Sequence, residues 1–267
     1  MIILEQLFLW FLFYSFCGWV YESILVSVQE HRPVNRGFLN GPLCPIYGTG
    51  AVLAIVLLGS VRNPALVFVI SAVGACLLEY ATSWAMEKMF HARWWDYSNF
   101  RFNLNGRICL IGALVFGIGG VTIVNVIQPQ VADVTAMIPM QMLHWLSVAC
   151  AILAAIDTVV TVAGVVNLED SLGQLKATVS RYGDAMRERI GAVGDAVSDA
   201  SGKVGETWQS GKDMSMELML KVRDAAGSML NRQQRRMIAS FPKLRTEHNN
   251  EMLQQLRDTF EKLYRGR

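Results

Sequence analysis

Five apolar runs decide what this chain can fold into. They cover about residues 7–28, 44–61, 65–86, 108–127 and 143–166. An α-helix needs about twenty such residues to cross a hydrocarbon core of about 30 Å. Lipid offers no partner to an unpaired N–H or C=O, so a spanning segment without a closed barrel must be helical. The expected fold is all-α: a five-helix transmembrane bundle over residues 1–166, followed by a helical tail over 167–267. The second run, Cys44–Val61, is short and entered through Pro42 and Pro45; read as a re-entrant segment, it leaves four spans.

Charge supports that division. Only 17% of the chain is charged, against roughly a quarter in soluble proteins. Residues 1–166 hold seven of the 24 Lys and Arg and eight of the 22 Asp and Glu. With the N-terminus outside, the inside segments 29–43, 87–107 and the tail carry two, four and seventeen basic residues. The outside segments carry Arg62 alone. This positive-inside pattern places the N-terminus outside and the tail in the cytoplasm. The residues ahead of the first run carry Glu5 and no Lys or Arg, which fits a retained helix better than a cleaved signal peptide.

Two irregular segments interrupt the apolar runs, Asn35–Gly48 (NRGFLNGPLCPIYG) and Arg93–Leu110 (RWWDYSNFRFNLNGRICL). Backbone this rich in Gly, Pro and Asn survives near a membrane only when packed on protein or lining a wet cavity. The expectation is that both face the cytoplasm and form one site. Three spans each carry one acid, Glu22, Glu79 and Asp157, at similar depth. Each acid lies on a stripe of small or polar residues at helical spacing, such as Ser15, Gly18, Glu22 and Ser71, Ala75, Glu79. A buried carboxylate needs a partner or a proton, and Arg36 and Arg107 are the candidate partners. They form either internal ion pairs or a binding site.

Within the segments, Asn40, Asp96, Asn103, Asn105 and Arg107 are further candidate substrate contacts. Asn103, Asn105 and Arg107 alternate as on an extended strand and would present amide and guanidinium donors to a phosphate or carboxylate. Trp94, Trp95 and Tyr97 read either as an interfacial belt or as a platform for a head group. The five cysteines lie in or beside apolar runs without metal-ligand spacing, and neither metal nor cofactor is expected. No P-loop, HExxH, GxSxG or SxxK is present, so no catalytic residue is assigned, and nothing points to nucleic acid.

The tail keeps a helical stripe through Leu168, Leu172, Leu175 and Val179. Glycines at 183, 191, 194, 202, 205 and 211 then interrupt it. Three states follow: a marginal helix on anionic lipid, a helix that needs a partner protein, or partial disorder. The last helix is expected at about Glu247–Tyr264, after a break at Pro242.

At CGWVYES, NRGFLNGPLCPIYG, WWDYS and FNLNGRICL the chain resembles the bacterial membrane family of "type IV" (CmpB-like) ABC-transporter permeases, over about residues 5–165. The resemblance implies a multi-pass protein of the bacterial cytoplasmic membrane that works with a separate ATPase. Five spans would favour a homo- or hetero-oligomer. Three functions remain: a transporter subunit, a membrane enzyme or lipid-binding protein that holds an anionic head group, and a structural or regulatory protein whose tail does the work.

Overall fold

The computed structural model describes the backbone of residues 2–198 and 204–265. It is mostly helical. Among the described residues, four helices are long and apolar enough to span a membrane. α1 is Ile2–Glu30, α2 is Pro45–Leu58 and α3 is Pro64–Phe90. α4 (Leu110–Thr122) continues through a π-helical turn, Ile123–Ile127, into α5 (Gln128–Ala136), and α6 is Met140–Val165. The four long stretches are α1, α3, the α4–α5 continuum and α6. The fourth helix thus runs nine residues past the end its hydropathy suggests, as the helix carries Gln128 and Thr135 into buried positions. At 14 residues α2 is only about 21 Å long, short of a hydrocarbon core.

Local chemistry sets the ends. Asn63 caps α3, its side chain accepting from the N–H groups of Ala65 and Leu66 at 3.0 and 3.4 Å, with Pro64 at the first turn. His91 ends α3 in the left-handed region at φ 50°. Between α3 and α4, β2 (Asn103–Leu104) and β3 (Ile108–Cys109) form a hairpin. Asn105 and Gly106 both have positive φ, 53° and 67°, and Arg107 N–H donates back to Leu104 C=O at 3.0 Å. This is an Asn-Gly type I′ turn, so the expected alternation of Asn103, Asn105 and Arg107 along one strand is incorrect.

The small-residue stripes mark helix contacts. A Cβ at Gly18 would overlap the Tyr47 ring, and one at Gly48 would overlap Ser15 and Phe11, so α1 and α2 cross through these glycines. On the other side a Cβ at Gly117 would come within 2.6 Å of Phe68, and one at Gly120 would overlap Ser71.

The tail is neither a bare surface helix nor a separate layer. α7 (Leu168–Ser198) continues almost directly from α6 and packs against α8 (Val204–Met229) and α10 (Asn250–Arg265). The helices run through Gly183, Gly191 and Gly194 in α7 and Gly205 and Gly211 in α8. Gly202 lies outside the described residues. α9 (Arg232–Ser240) opens with a capping box from Asn231 and Gln234 and lies against α6. Leu168, Leu172, Leu175, Leu230, Met237, Leu244, Leu253 and Leu256 form one core together with Phe90, Ala92, Trp94 and Val165. β1 (Ala92–Arg93) pairs antiparallel with β4 (Arg245–Thr246). The tail core is therefore closed by residues from the ends of α3 and α6.

Candidate functional site

The connection 31–44 is laced back along α1. Val34 N–H donates to Ser27 Oγ at 2.8 Å, Arg36 N–H to Ser23 Oγ at 3.2 Å, and Trp19 Nε1 to Asn35 Oδ1 at 2.7 Å. This pins Arg36 beside Glu22, with Nε 3.7 Å from the carboxylate. Glu22 also accepts a hydrogen bond from the Tyr47 hydroxyl of α2. Tyr47 in turn packs on Tyr21 of α1 and Phe116 of α4, at ring separations of 6.2 and 6.1 Å. On α3, buried Glu79 accepts from the Tyr97 hydroxyl at 2.9 Å. Arg36 lies within electrostatic reach of Glu22, Tyr47 and Tyr97, and Glu79 within reach of Glu22. Glu22, Arg36 and Tyr47 thus form one partly buried group, and Glu79 with Tyr97 a second. The two lie within electrostatic reach of each other at the tail-side end of the bundle; together they are the cluster. Burial lowers the Arg36 guanidinium from its ordinary value and Glu22 opposes that shift; burial, then Glu79, raises Tyr97.

The tail covers this cluster. The Arg36 guanidinium carbon lies 4.1 Å from the Phe241 ring centroid, and Nη1 donates to Ser240 C=O at 3.4 Å. Two other arginines hold the same strap: Arg32 Nη2 donates to Ala239 C=O at 3.0 Å and Arg257 Nη2 to Phe241 C=O at 2.7 Å. Cations gathered at the orphan carbonyls of a helix C-terminus are favourable. In return, Arg236 of α9 donates to the carbonyls of Gly37 and Phe38 at 3.0 and 2.6 Å.

Asp157 stands apart from the other two acids. It accepts from the Asn40 backbone and side chain at 2.9 and 3.0 Å, from Gly41 N–H at 2.8 Å and from Thr161 Oγ1 at 3.1 Å. Four donors occupy the carboxylate and fasten the Asn40–Gly41 turn to α6, so the three acids do not converge as one set.

Arg107 takes a different acid from the one expected. Its Nη2 is 2.6 Å from Glu87, its Nη1 donates to Ser83 at 3.1 Å, and Arg93 Nε meets the same Glu87 at 3.3 Å. Asn103 makes local bonds, donating to Phe100 C=O at 2.6 Å and accepting from Gly106 N–H at 3.0 Å. Asn105 Nδ2 donates to the Tyr80 hydroxyl at 3.1 Å. Asp96 accepts from Ser98 and pairs with Arg245 of β4 at 2.7 Å. Burial pushes Asp96 up, but the Ser98 donors, then Arg245 and Arg93, outweigh it and hold the carboxyl below its usual range. Trp94 fits neither a belt nor a platform. Trp94 is 1% exposed, edge-on to Phe38, Phe90 and Phe241, and Trp95 Nε1 donates to Arg107 C=O at 3.0 Å.

Sequence reasoning missed Tyr47 as the link between α1 and α2, and it assigned the basic run 231–236 to a lipid surface, where Arg236 instead docks on Gly37 and Phe38. A Tyr one helical turn past Cys44 on an otherwise apolar helix was the available signal. Arg236 ends a basic run at 231–236, but nothing local marked its partners Gly37 and Phe38, 199 and 198 residues away. Among the described residues no group of His, Cys, Asp and Glu has the geometry to hold a metal ion.

No curated protein and no solved structure matches this chain. A family model described as "Putative ABC-transporter type IV" matches residues 9–162, from α1 to near the end of α6. That span contains every member of the cluster, in a protein whose described residues include four membrane-length helices. The chain is a membrane protein, and it belongs to this ABC-transporter type IV family.

Proposed function

We propose that this protein is the membrane-spanning permease subunit of a transport system that draws its energy from a separate ATPase, with the Glu22–Arg36–Tyr47–Tyr97–Glu79 cluster on the transport path. One observation carries the reading. Two carboxylates on two different membrane helices lie within electrostatic reach of each other, one of them paired with a guanidinium, at a depth where polar groups are costly unless they serve a purpose.

Five crossings suit the reading. The end of α1, the start of α2, the ends of α3 and α6 and the start of α4 all gather near the tail, so consecutive helices alternate in direction. α2 then acts as a short crossing whose far end, Leu58, packs on Val67 near the start of α3. With basic residues concentrated on the tail side, the tail is cytoplasmic and the N-terminus is outside, in a bacterial cell membrane. This sequence carries no nucleotide-binding loop, which is consistent with an ATPase on a separate subunit.

The test is purification from native membranes in mild detergent after crosslinking, with mass spectrometry of the retained proteins. A stoichiometric P-loop ATPase supports the reading. Its reproducible absence, with Glu22→Gln and Glu79→Gln leaving cell physiology unchanged, overturns it.

A further inference from the structure

We propose that the groove between α3 and α4 is a slot for one acyl chain of an anionic phospholipid, whose phosphate meets Arg93 at its mouth, with the buried Arg107 behind it. The groove holds about 500 Å³. Ala72, Cys76 and Tyr80 of α3, Ala113 of α4, and Leu104 and Ile108 of the hairpin line it. Small side chains on both helices give it depth, and its walls are apolar. The lining runs from Ala72 to Ala81, about 14 Å along α3 at 1.5 Å per residue, which matches one leaflet of a core about 30 Å thick.

The slot ends in polar chemistry at head-group level. Trp84, 54% exposed, lies one turn beyond Tyr80, where an interfacial indole belongs. At that end the Tyr80 hydroxyl meets Asn105 Nδ2 at 3.1 Å, and the Arg107 guanidinium carbon lies 5.4 Å from the Tyr80 ring centroid. Arg93 Nη1 donates to Asn105 C=O at 3.0 Å, so both arginines border the hairpin turn. Glu87 bridges Arg93 and Arg107, and Asp96 is taken by Arg245, so three guanidiniums face two carboxylates. One positive charge is left over where a lipid phosphate would sit. A zwitterionic head group brings its own cation to that place, and an anionic one does not.

This site is separate from the Glu22 cluster and faces lipid, whereas the tail covers Arg36. The experiment uses the full chain reconstituted in nanodiscs of equal parts phosphatidylglycerol and phosphatidylcholine, then released into native mass spectrometry. One phosphatidylglycerol per chain should be retained, about tenfold over phosphatidylcholine. Arg93→Gln should lower that preference by about tenfold, the scale of one charged hydrogen bond. Ala113→Leu, which fills the slot, should remove the retained lipid of either class. Equal retention of both lipids by the wild type overturns the proposal, as does unchanged retention in the variants. If Ala113→Leu does not fold, Arg93→Gln decides alone. The readout is lipid composition and stands whether or not an ATPase accompanies the chain.

Discussion

Arg36 is held from three directions: Glu22 on one side, Ser240 C=O on another, and the Phe241 ring across its face. Its side chain is 11% exposed and that of Glu22 25%, so the ion pair is partly shielded. Breaking such a pair from one side leaves a charge uncompensated and typically costs about 3 kcal/mol or more, while removing both partners costs much less. Arg36→Gln and Glu22→Gln should each lower the melting temperature in detergent markedly, and the double variant should lose less than the sum. Heating followed by size-exclusion chromatography measures all three. Strict additivity would show that the two side chains act independently. That Arg36 meets an acid was legible in the sequence, because an acid inside a span demands a partner and Arg36 sits next to a glycine, but which of the three acids it meets was not. The pairing of Arg107 with Glu87 was not, because a one-dimensional reading ranks acids by depth in the membrane, and the type I′ turn redirects the arginine.

At the scale of elements, the α1–α2 crossing depends on Gly18. Gly18→Ala should destabilise the bundle by about 1–3 kcal/mol, the usual cost of overpacking. Gly74→Ala, where an added Cβ meets nothing within 4 Å, should be neutral or slightly stabilising on helix propensity. Comparing their melting temperatures tests the crossing directly. The strap after α9 makes a second prediction. Cys44 is buried beside the cluster that Phe241 covers, and its N–H donates to Ser15 C=O at 2.9 Å. With the other four cysteines changed to Ser, Phe241→Ala should speed maleimide labelling of Cys44 well beyond the wild-type rate, and Phe241→Leu should do so far less. Equal rates would mean that the strap does not shield the site. The helices themselves, with their small-residue stripes, were visible as periodicity. The strap was not, since RRMIASFPKL carries no pattern that distinguishes a docked segment from a solvated one.

For the molecule as a whole, hydropathy and packing divide the chain differently. Hydropathy draws a boundary at residue 166, yet the largest core combines Leu168, Leu172 and Leu253 with Phe90, Ala92, Trp94 and Val165. A chain cut after residue 166 would expose Trp94 and Phe90, and each such large side chain contributes roughly 1.5–3 kcal/mol on full burial. Truncation there should abolish monodisperse purification in detergent, whereas a chain retaining the tail should purify intact. A well-behaved 1–166 fragment would make the two parts independent domains.

The sequence by itself determined the solvent of each segment, and with it the helical class, the membrane-length runs, the polar stripes and the need of buried acids for partners. These follow from local composition, because a bilayer acts on every residue as a medium. Only the tertiary structure decided which polar group meets which: Glu22 with Arg36 and Tyr47, Asp157 with Asn40 and Gly41, Glu87 with two arginines, and the tail strap over Arg36. Those choices rest on contacts such as Arg36 to Ser240, 204 residues apart, which no window along the chain contains. They form only when the ends of several helices close on the tail core together.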